Sequence, residues 1–395
     1  MAILDRVKFF GSDRIQWMAA LVVVSFLSVL LLRSQSAASY PTYLLAIVLM
    51  FTFHQWRDVF SLPLVRIISV LLAWLCLSVF WSDDFSWRDA GSIWVRALLV
   101  LLFVVAMAEC QFRGQLNRWM AVTLAVAGGF VVIAAIANFY ITNPIDNRLN
   151  GLGQLDTHVV AALVYGAILV FVLQLAIRSQ SKGQVALAVL VALSICYAIY
   201  LSDSRNAWVS VTAGALTLVL GHMARDSRSF ILSMVLGASF VVVALVVLIA
   251  NPDTNAMLLP RGDSFRIEIW TEAWRMIVDN NGLFSGRGIL TVDDVTVGPN
   301  VHMHPHSLYL ALWYQGGVVA LLLYIALLIQ VVRTLLEHFE SYDAKLALAV
   351  LSIAVLSHIL DGHELIDKVG DTWMLVWMPV GIAVGLSWKN RLSRR

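Results

Sequence analysis

The sequence predicts an all-α fold, a polytopic transmembrane helical bundle of about twelve spans with one large outer loop, and three observations carry that prediction. Of the 395 residues, 60% are hydrophobic and only 13% are charged, where soluble domains average roughly 45–50% and about 25%; mean hydropathy is +0.82. Lipid is therefore the solvent for most of the chain. Apolar runs of about 20 residues, the length that crosses a hydrocarbon core, recur throughout. Lys and Arg, finally, collect in every second connection, which is how a membrane protein records its orientation.

The runs lie at 15–33, 40–56, 62–81, 91–109, 119–140, 157–178, 184–201, 206–222, 230–250, 307–332, 345–363 and 371–388. Segments this long exclude barrel strands, and helices satisfy their own backbone in lipid. Arg6, Lys8 and Arg14 precede the first run; Arg57, Arg113 with Arg118, Arg178 with Lys182, Arg225 with Arg228, and Arg333 with Lys345 repeat the bias. Lys389, Arg391, Arg394 and Arg395 close the chain, so both termini are expected in the cytoplasm. The opposite side gathers acids, among them Asp83, Asp84, Asp146, Asp203, Asp361, Glu364 and Asp367. The first run is too long for a typical signal-peptide core and reads as the first anchor. The chain divides into spans over residues 1–250, an outer loop over 251–306, and spans with a cytoplasmic tail over 307–395.

Composition also excludes function classes. A net charge of +2 is not the basic footprint of a nucleic-acid binder, which leaves membrane lipids and membrane-borne substrates as the expected partners. Cys76, Cys110 and Cys196 lie in or beside apolar runs without metal-type spacing, so neither disulfides nor thiolate metal sites are expected. No Gly-x-Ser-x-Gly elbow, P-loop or Asp-x-Asp motif is present. An ion-coupled transporter or flippase would place ionisable groups or broken helices near mid-membrane, whereas these runs are nearly free of charge at their centres.

The outer loop breaks the pattern of short connections, and long ordered loops tend to be functional. Within it, residues 264–279 (SFRIEIWTEAWRMIVD) predict one amphipathic helix with Ser264 as N-cap. Glu268, Glu272, Arg275 and Asp279 share a polar arc, where Arg275 reads as a surface ion pair with its i−3 or i+4 neighbour. Arg266 falls instead among Ile269, Trp270, Ala273 and Ile277, and a cation on an apolar face is costly without an anion. Arg148 and Arg205 likewise stand on the side that positive-inside bias should empty, with Asp146 and Asp203 as neighbours. Arg261 and Arg287 are further loop candidates; Arg88 fits an ion pair with Asp84 or Asp89, and Arg96 is expected to snorkel outward. Arginine suits a diphosphate, since its rigid fork of donors matches paired oxygens.

The loop ends in VHMHPHSLYLALWYQGG, where His302, His304 and His306 alternate before the tenth run. Alternating histidines can bind metal, but Pro305 disturbs the spacing, and no carboxylate completes a set nearby in the sequence, so no metal is expected. A neutral imidazole can also act as general base toward a hydroxyl.

The ordered set LSDSR, RIEIW, SGRG and HPHSLYLALWYQGG resembles the O-antigen ligase and polymerase superfamily of bacterial inner membranes, strongly from Asn147 to Val332 and elsewhere only in span count. The resemblance implies glycan transfer from undecaprenyl diphosphate on the periplasmic face, without metal or other cofactor. It assigns the diphosphate to Arg148, Arg205 and Arg266, beside which Arg261 stands as a candidate from its loop position, the catalytic role to His306 with His304 as companion, and a supporting acid to Asp361. Two departures from the family pattern are Asn281-Gly282, where many relatives carry His-Pro, and Arg287 between the two glycines of SGRG. Twelve spans and a single large loop match the ligases, which join a glycan to lipid A core, better than the polymerases, which extend lipid-linked repeats.

Overall fold

The computed structural model describes residues 2–114, 119–237, 265–279, 282–362 and 364–393. Each expected apolar run in that range forms helix, because a chain without water to bond must close its own N–H···O=C ladder. In order these are α1 (Ala2–Leu31), α2 (Gln35–Thr52), α3 (Trp56–Phe60), α4 (Pro63–Ser78), α5 (Trp87–Phe112), α6 (Trp119–Thr142), α7 (His158–Arg178), α8 (Lys182–Leu201) and α9 (Arg205–Met223). A shorter apolar helix follows, α10 (Ser227–Gly237). After the amphipathic α11 (Arg266–Asp279) come β1 (Val295–Val297), β2 (Asn300–His302), α12 (Leu308–Glu337), α13 (Tyr342–Leu360) and α14 (Met378–Ser393), the last entered through a π-helical turn at Trp373–Trp377. Among the described residues eight helices are long and apolar enough to cross a membrane, so the chain is a multi-pass helical membrane protein. The remaining expected spans fall on α2 and α9, whose first turns are polar, on the π-interrupted final helix, and on residues 230–250, of which 238–250 lie outside the described residues.

The outer loop is more structured than a single helix. Val295 pairs with His302 and Val297 with Asn300, an antiparallel hairpin absent from the sequence reading. Gly298 at φ +58 followed by Pro299 supplies the glycine-first turn that suits strand twist.

Helix starts follow local capping chemistry. Thr157 and Ser204 accept N–H groups of the first turns of α7 and α9, and Ser86 does the same for α5. Small residues then let helices approach. Gly214 brings α9 onto α13, where an added Cβ would lie 2.4 Å from the Ile353 side chain; Gly385 does the same for α14 and α5, at 2.7 Å from the Ala108 carbonyl oxygen. At one end of the bundle Arg14 pairs with the buried Glu109, and Gln111 donates to Asp343 at 2.7 Å. At the other end the backbones of Leu149 and Gln154 bond Leu201 and Val29, which ties the segment before α7 to the ends of α8 and α1.

One helix is not continuous as the sequence suggests. At Gly317 (φ +68, ψ −173) α12 breaks, which frees carbonyl groups of the preceding turn. The loop fills the gap: Arg287 and Gly288 N–H donate to the Tyr314 and Gln315 carbonyls, and Val318 N–H donates to Leu283 O. Trp74 Nε1 donates to Gly316 O at 2.7 Å, and Trp313 Nε1 to Leu283 O at 3.0 Å. Gly317→Ala is expected to destroy the fold. Its φ/ψ is open essentially to glycine alone, and its Cβ would sit 2.0 Å from Phe284 O. Size-exclusion of a fluorescent fusion should show loss of the monodisperse peak, with Gly91→Ala, whose Cβ meets nothing within 4 Å, unchanged.

Candidate functional site

The site lies where α9, α11, α12 and α13 converge. His306 occupies the left-handed region at φ +49, an uncommon conformation for a non-glycine residue; it immediately precedes Ser307, the N-cap residue of α12. The bend turns its ring toward the end of α13, where Nδ1 lies 3.3 Å from Asp361 Oδ1. Its backbone N–H donates to His304 Nδ1 at 3.2 Å, and the two rings meet at 4.2 Å between centroids. Ser307 Oγ donates to His358 O at 3.4 Å, and Tyr309 donates to Val355 O at 3.1 Å, so α12 and α13 hold the pair in register.

Asp361 is half-buried and also accepts the Gly362 N–H at 2.9 Å. Burial alone would raise its carboxyl, but the hydrogen bonds from His306 and Gly362, with the charge of His306 and His304, hold it below the usual carboxylate range. A charged Asp361 makes the facing nitrogen of His306 a donor, which leaves Nε2 as the basic nitrogen. His304, by contrast, accepts the His306 N–H at Nδ1, so its neutral form carries the proton on Nε2.

Asp361 also corrects the expectation that no carboxylate accompanies the histidines. His304, His306 and Asp361 each offer one ligand atom, all within 4.8 Å of one another, a donor set that fits a divalent metal. The sequence hid it because 55 residues separate His306 from its acid.

The loop helix buries the face anticipated for it: Ile269, Ala273 and Ile277 point inward, and Trp274 meets Trp313 edge-on at 4.9 Å. Arg266, at the start of that face, extends Nη1 to within 3.5 Å of the His306 carbonyl oxygen. Burial lowers its pKa, the nearby charge of Arg205 lowers it further, and Asp361 opposes both. Two cations and one acid thus share the space beside His306. Arg205 opens α9 as its first residue. Arg148 reaches the same region less directly. Its guanidinium lies 3.3 Å from His158 Nε2 and 3.5 Å from Asp203 Oδ2, and Asp361 is close enough to act electrostatically on His158. Asp203 thus pairs with Arg148, and His158, which opens α7, belongs to the site's rim. A histidine opening an apolar helix on the side where the arginines collect was the available signal. Arg261 lies outside the described residues, as do His363 and Ser264.

The other outer arginines lie elsewhere. Arg275 pairs with Glu272 at 3.3 Å, as its helix position implied. Arg287 pairs with Asp83 and ties the glycine loop to the end of α4. Arg96 does not simply snorkel outward but reaches Glu364 and Asp367, at 3.9 and 3.8 Å. The acids expected beside Arg88 turn to other groups: Asp84 accepts the Val292 N–H at 3.4 Å, and Asp89 accepts Ser86 Oγ at 2.5 Å.

The chain is similar to known proteins. Residues 188–325 match a family model described as O-antigen ligase, a stretch that contains Arg205, Arg266, His304 and His306. The chain is also 26% identical over 350 residues to an O-antigen ligase of Pseudomonas aeruginosa, an alignment covering 85% of this chain and 81% of that protein.

Proposed function

We propose that the chain, which is similar to O-antigen ligases, moves a glycan from undecaprenyl diphosphate to a sugar hydroxyl of lipid A core, at the periplasmic face of the bacterial inner membrane. The observation that carries this reading is the meeting of His306 with Asp361 at 3.3 Å beside Arg266. A base with a fixed tautomer and a pair of cations are what displacement of a diphosphate requires. The acceptor oxygen attacks the anomeric carbon, its proton passes to His306 Nε2, and the bond from that carbon to the phosphate oxygen breaks with its electron pair leaving on the diphosphate. Direct displacement inverts the anomeric carbon. Arg266 and Arg205, with Arg148 at the rim, stabilise the charge that develops on the leaving group, a role to which Arg261 is assigned from its sequence position alone. His304 braces the His306 backbone.

A cavity of about 370 Å³ between α7, α8 and α9, walled by Leu169, Ile199, Tyr200, Trp208 and Val211, starts beside the turn that carries Arg205. It suits the polyprenyl tail, with the diphosphate above it at the arginines. The amphipathic α11, which contributes Arg266, forms one wall of the site and can gate it.

The test is transfer by the purified protein in detergent, with lipid A core and a second donor molecule offered separately, each with and without EDTA. Product only with lipid A core, indifferent to EDTA, is expected. Ladders grown without lipid A core would make the protein a polymerase. Activity lost to EDTA and restored by a divalent ion would give the charge-stabilising role to a metal on His304, His306 and Asp361.

A further inference from the structure

A cation-lined cavity of about 300 Å³ lies between α2, α5 and the segment after Asp361. None of the residues assigned above to glycan transfer lines it. Its charged wall is Arg88, Arg96, Lys368 and Asp367, with the hydroxyls of Ser36, Ser39 and Ser92 between them. Cations outnumber acids three to one in the lining, and three to two if Glu364, which reaches Arg96 from outside it, is counted. The Lys368 ammonium donates to a neutral group, Gln35 Oε1 at 3.1 Å, while its backbone N–H donates to Asp367, and the acids next to Arg88 accept from Ser86 Oγ and the Val292 N–H. Positive charge is in excess there, and hydroxyl donors face it.

The cavity is also graded. Ser36 and Arg88 stand in the first turns of α2 and α5; Tyr43, Val95 and Leu99 lie further along the same helices, where Arg96 starts at their level but reaches back to the loop acids Glu364 and Asp367. At about 1.5 Å per residue, roughly 10 Å separates the polar rim from the apolar depth. Tyr43 and Val95 are exposed on the outside of the bundle, 40% and 51%, so the apolar part faces acyl chains. A free anion would use only the rim, whereas a lipid uses both parts.

We propose that this cavity is a binding site for a membrane lipid with a phosphate headgroup, the phosphate held by Arg88, Arg96 and Lys368 and the first chain carbons lying against Tyr43, Val95 and Leu99. It is independent of the transfer reaction and adds a lipid partner to it. Arg and Lys with serine hydroxyls are the usual donors to a phosphate monoester. The segment from Asp361 to Val369 joins the two sites, so the bound lipid sits one loop away from the acid that orients His306.

Calorimetric titration of the purified full chain with short-chain phosphatidic acid, phosphatidylcholine and inorganic phosphate tests the assignment. Phosphatidic acid should bind, at least tenfold more tightly than either of the other two. The double variant Arg88→Gln/Lys368→Gln should weaken it tenfold or more. Gly91→Trp should do the same by filling the cavity, since a Cβ there meets nothing within 4 Å. Both variants should keep the wild-type melting temperature and the wild-type response to undecaprenyl diphosphate. Equal affinity for phosphatidic acid in wild type and both variants would overturn the site. Inorganic phosphate binding as tightly as phosphatidic acid would overturn its assignment to a lipid, and equal binding of phosphatidylcholine would overturn the role of the cations.

Discussion

Replacing His306 with asparagine is expected to slow glycan transfer by about 10²- to 10⁴-fold, the range that general-base catalysis contributes, while the protein remains folded. Asparagine is chosen because His306 sits at φ +49, a region that Asn tolerates better than alanine. The imidazole is partly exposed, and its loss removes the Asp361 contact without leaving a deeply buried charge. Asp361→Asn should approach the same loss: a side-chain amide can donate to Nδ1 and thereby favour the tautomer whose basic nitrogen points the wrong way. His304→Ala removes one hydrogen bond to the His306 backbone, so about tenfold or less is expected. Initial rates at saturating donor and acceptor, with size-exclusion profiles as the folding control, separate these outcomes. A rate spared in His306→Asn but lost in His304→Ala would move the base to His304.

Arg266→Gln is expected to lower transfer by about 10²- to 10³-fold, the usual cost of losing one preorganised group that stabilises transition-state charge, and yet not to lower the melting temperature. The reason lies in what surrounds the guanidinium. Burial and the neighbouring Arg205 both disfavour its charge, and Asp361 compensates only in part. Arg266 therefore carries its charge at a cost from burial and from Arg205, and a bound diphosphate relieves that cost. Residues of this kind trade stability for function. Differential scanning fluorimetry should therefore find the substrate-free variant at least as stable as wild type, with a smaller upward shift on adding undecaprenyl diphosphate. An unchanged ligand-induced shift would remove Arg266 from the clamp. Lysine at this position should restore only part of the effect, because a point charge lacks the guanidinium fork.

The properties written in local order were legible before any fold was known. Helix periodicity repeats every 3.6 residues, so the spans, the buried face of α11 and the misplaced Arg266 on that face all followed from neighbours within two turns. The hairpin at Val295–His302 escaped because its strands are three residues each, too short for an alternating pattern to stand out. What the tertiary structure alone decided are the partnerships between distant segments: Asp361 with His306, 55 residues away, and Arg148 with Asp203, also 55 apart. The glycine loop seated in the break of α12 at Gly317, and the cation-lined cavity that joins α2, α5 and the last loop, belong to the same class. A contact of this kind depends on which helices pack together and at what depth. That depends in turn on many small-residue approaches such as Gly214 against Ile353, and no single stretch of sequence encodes their sum.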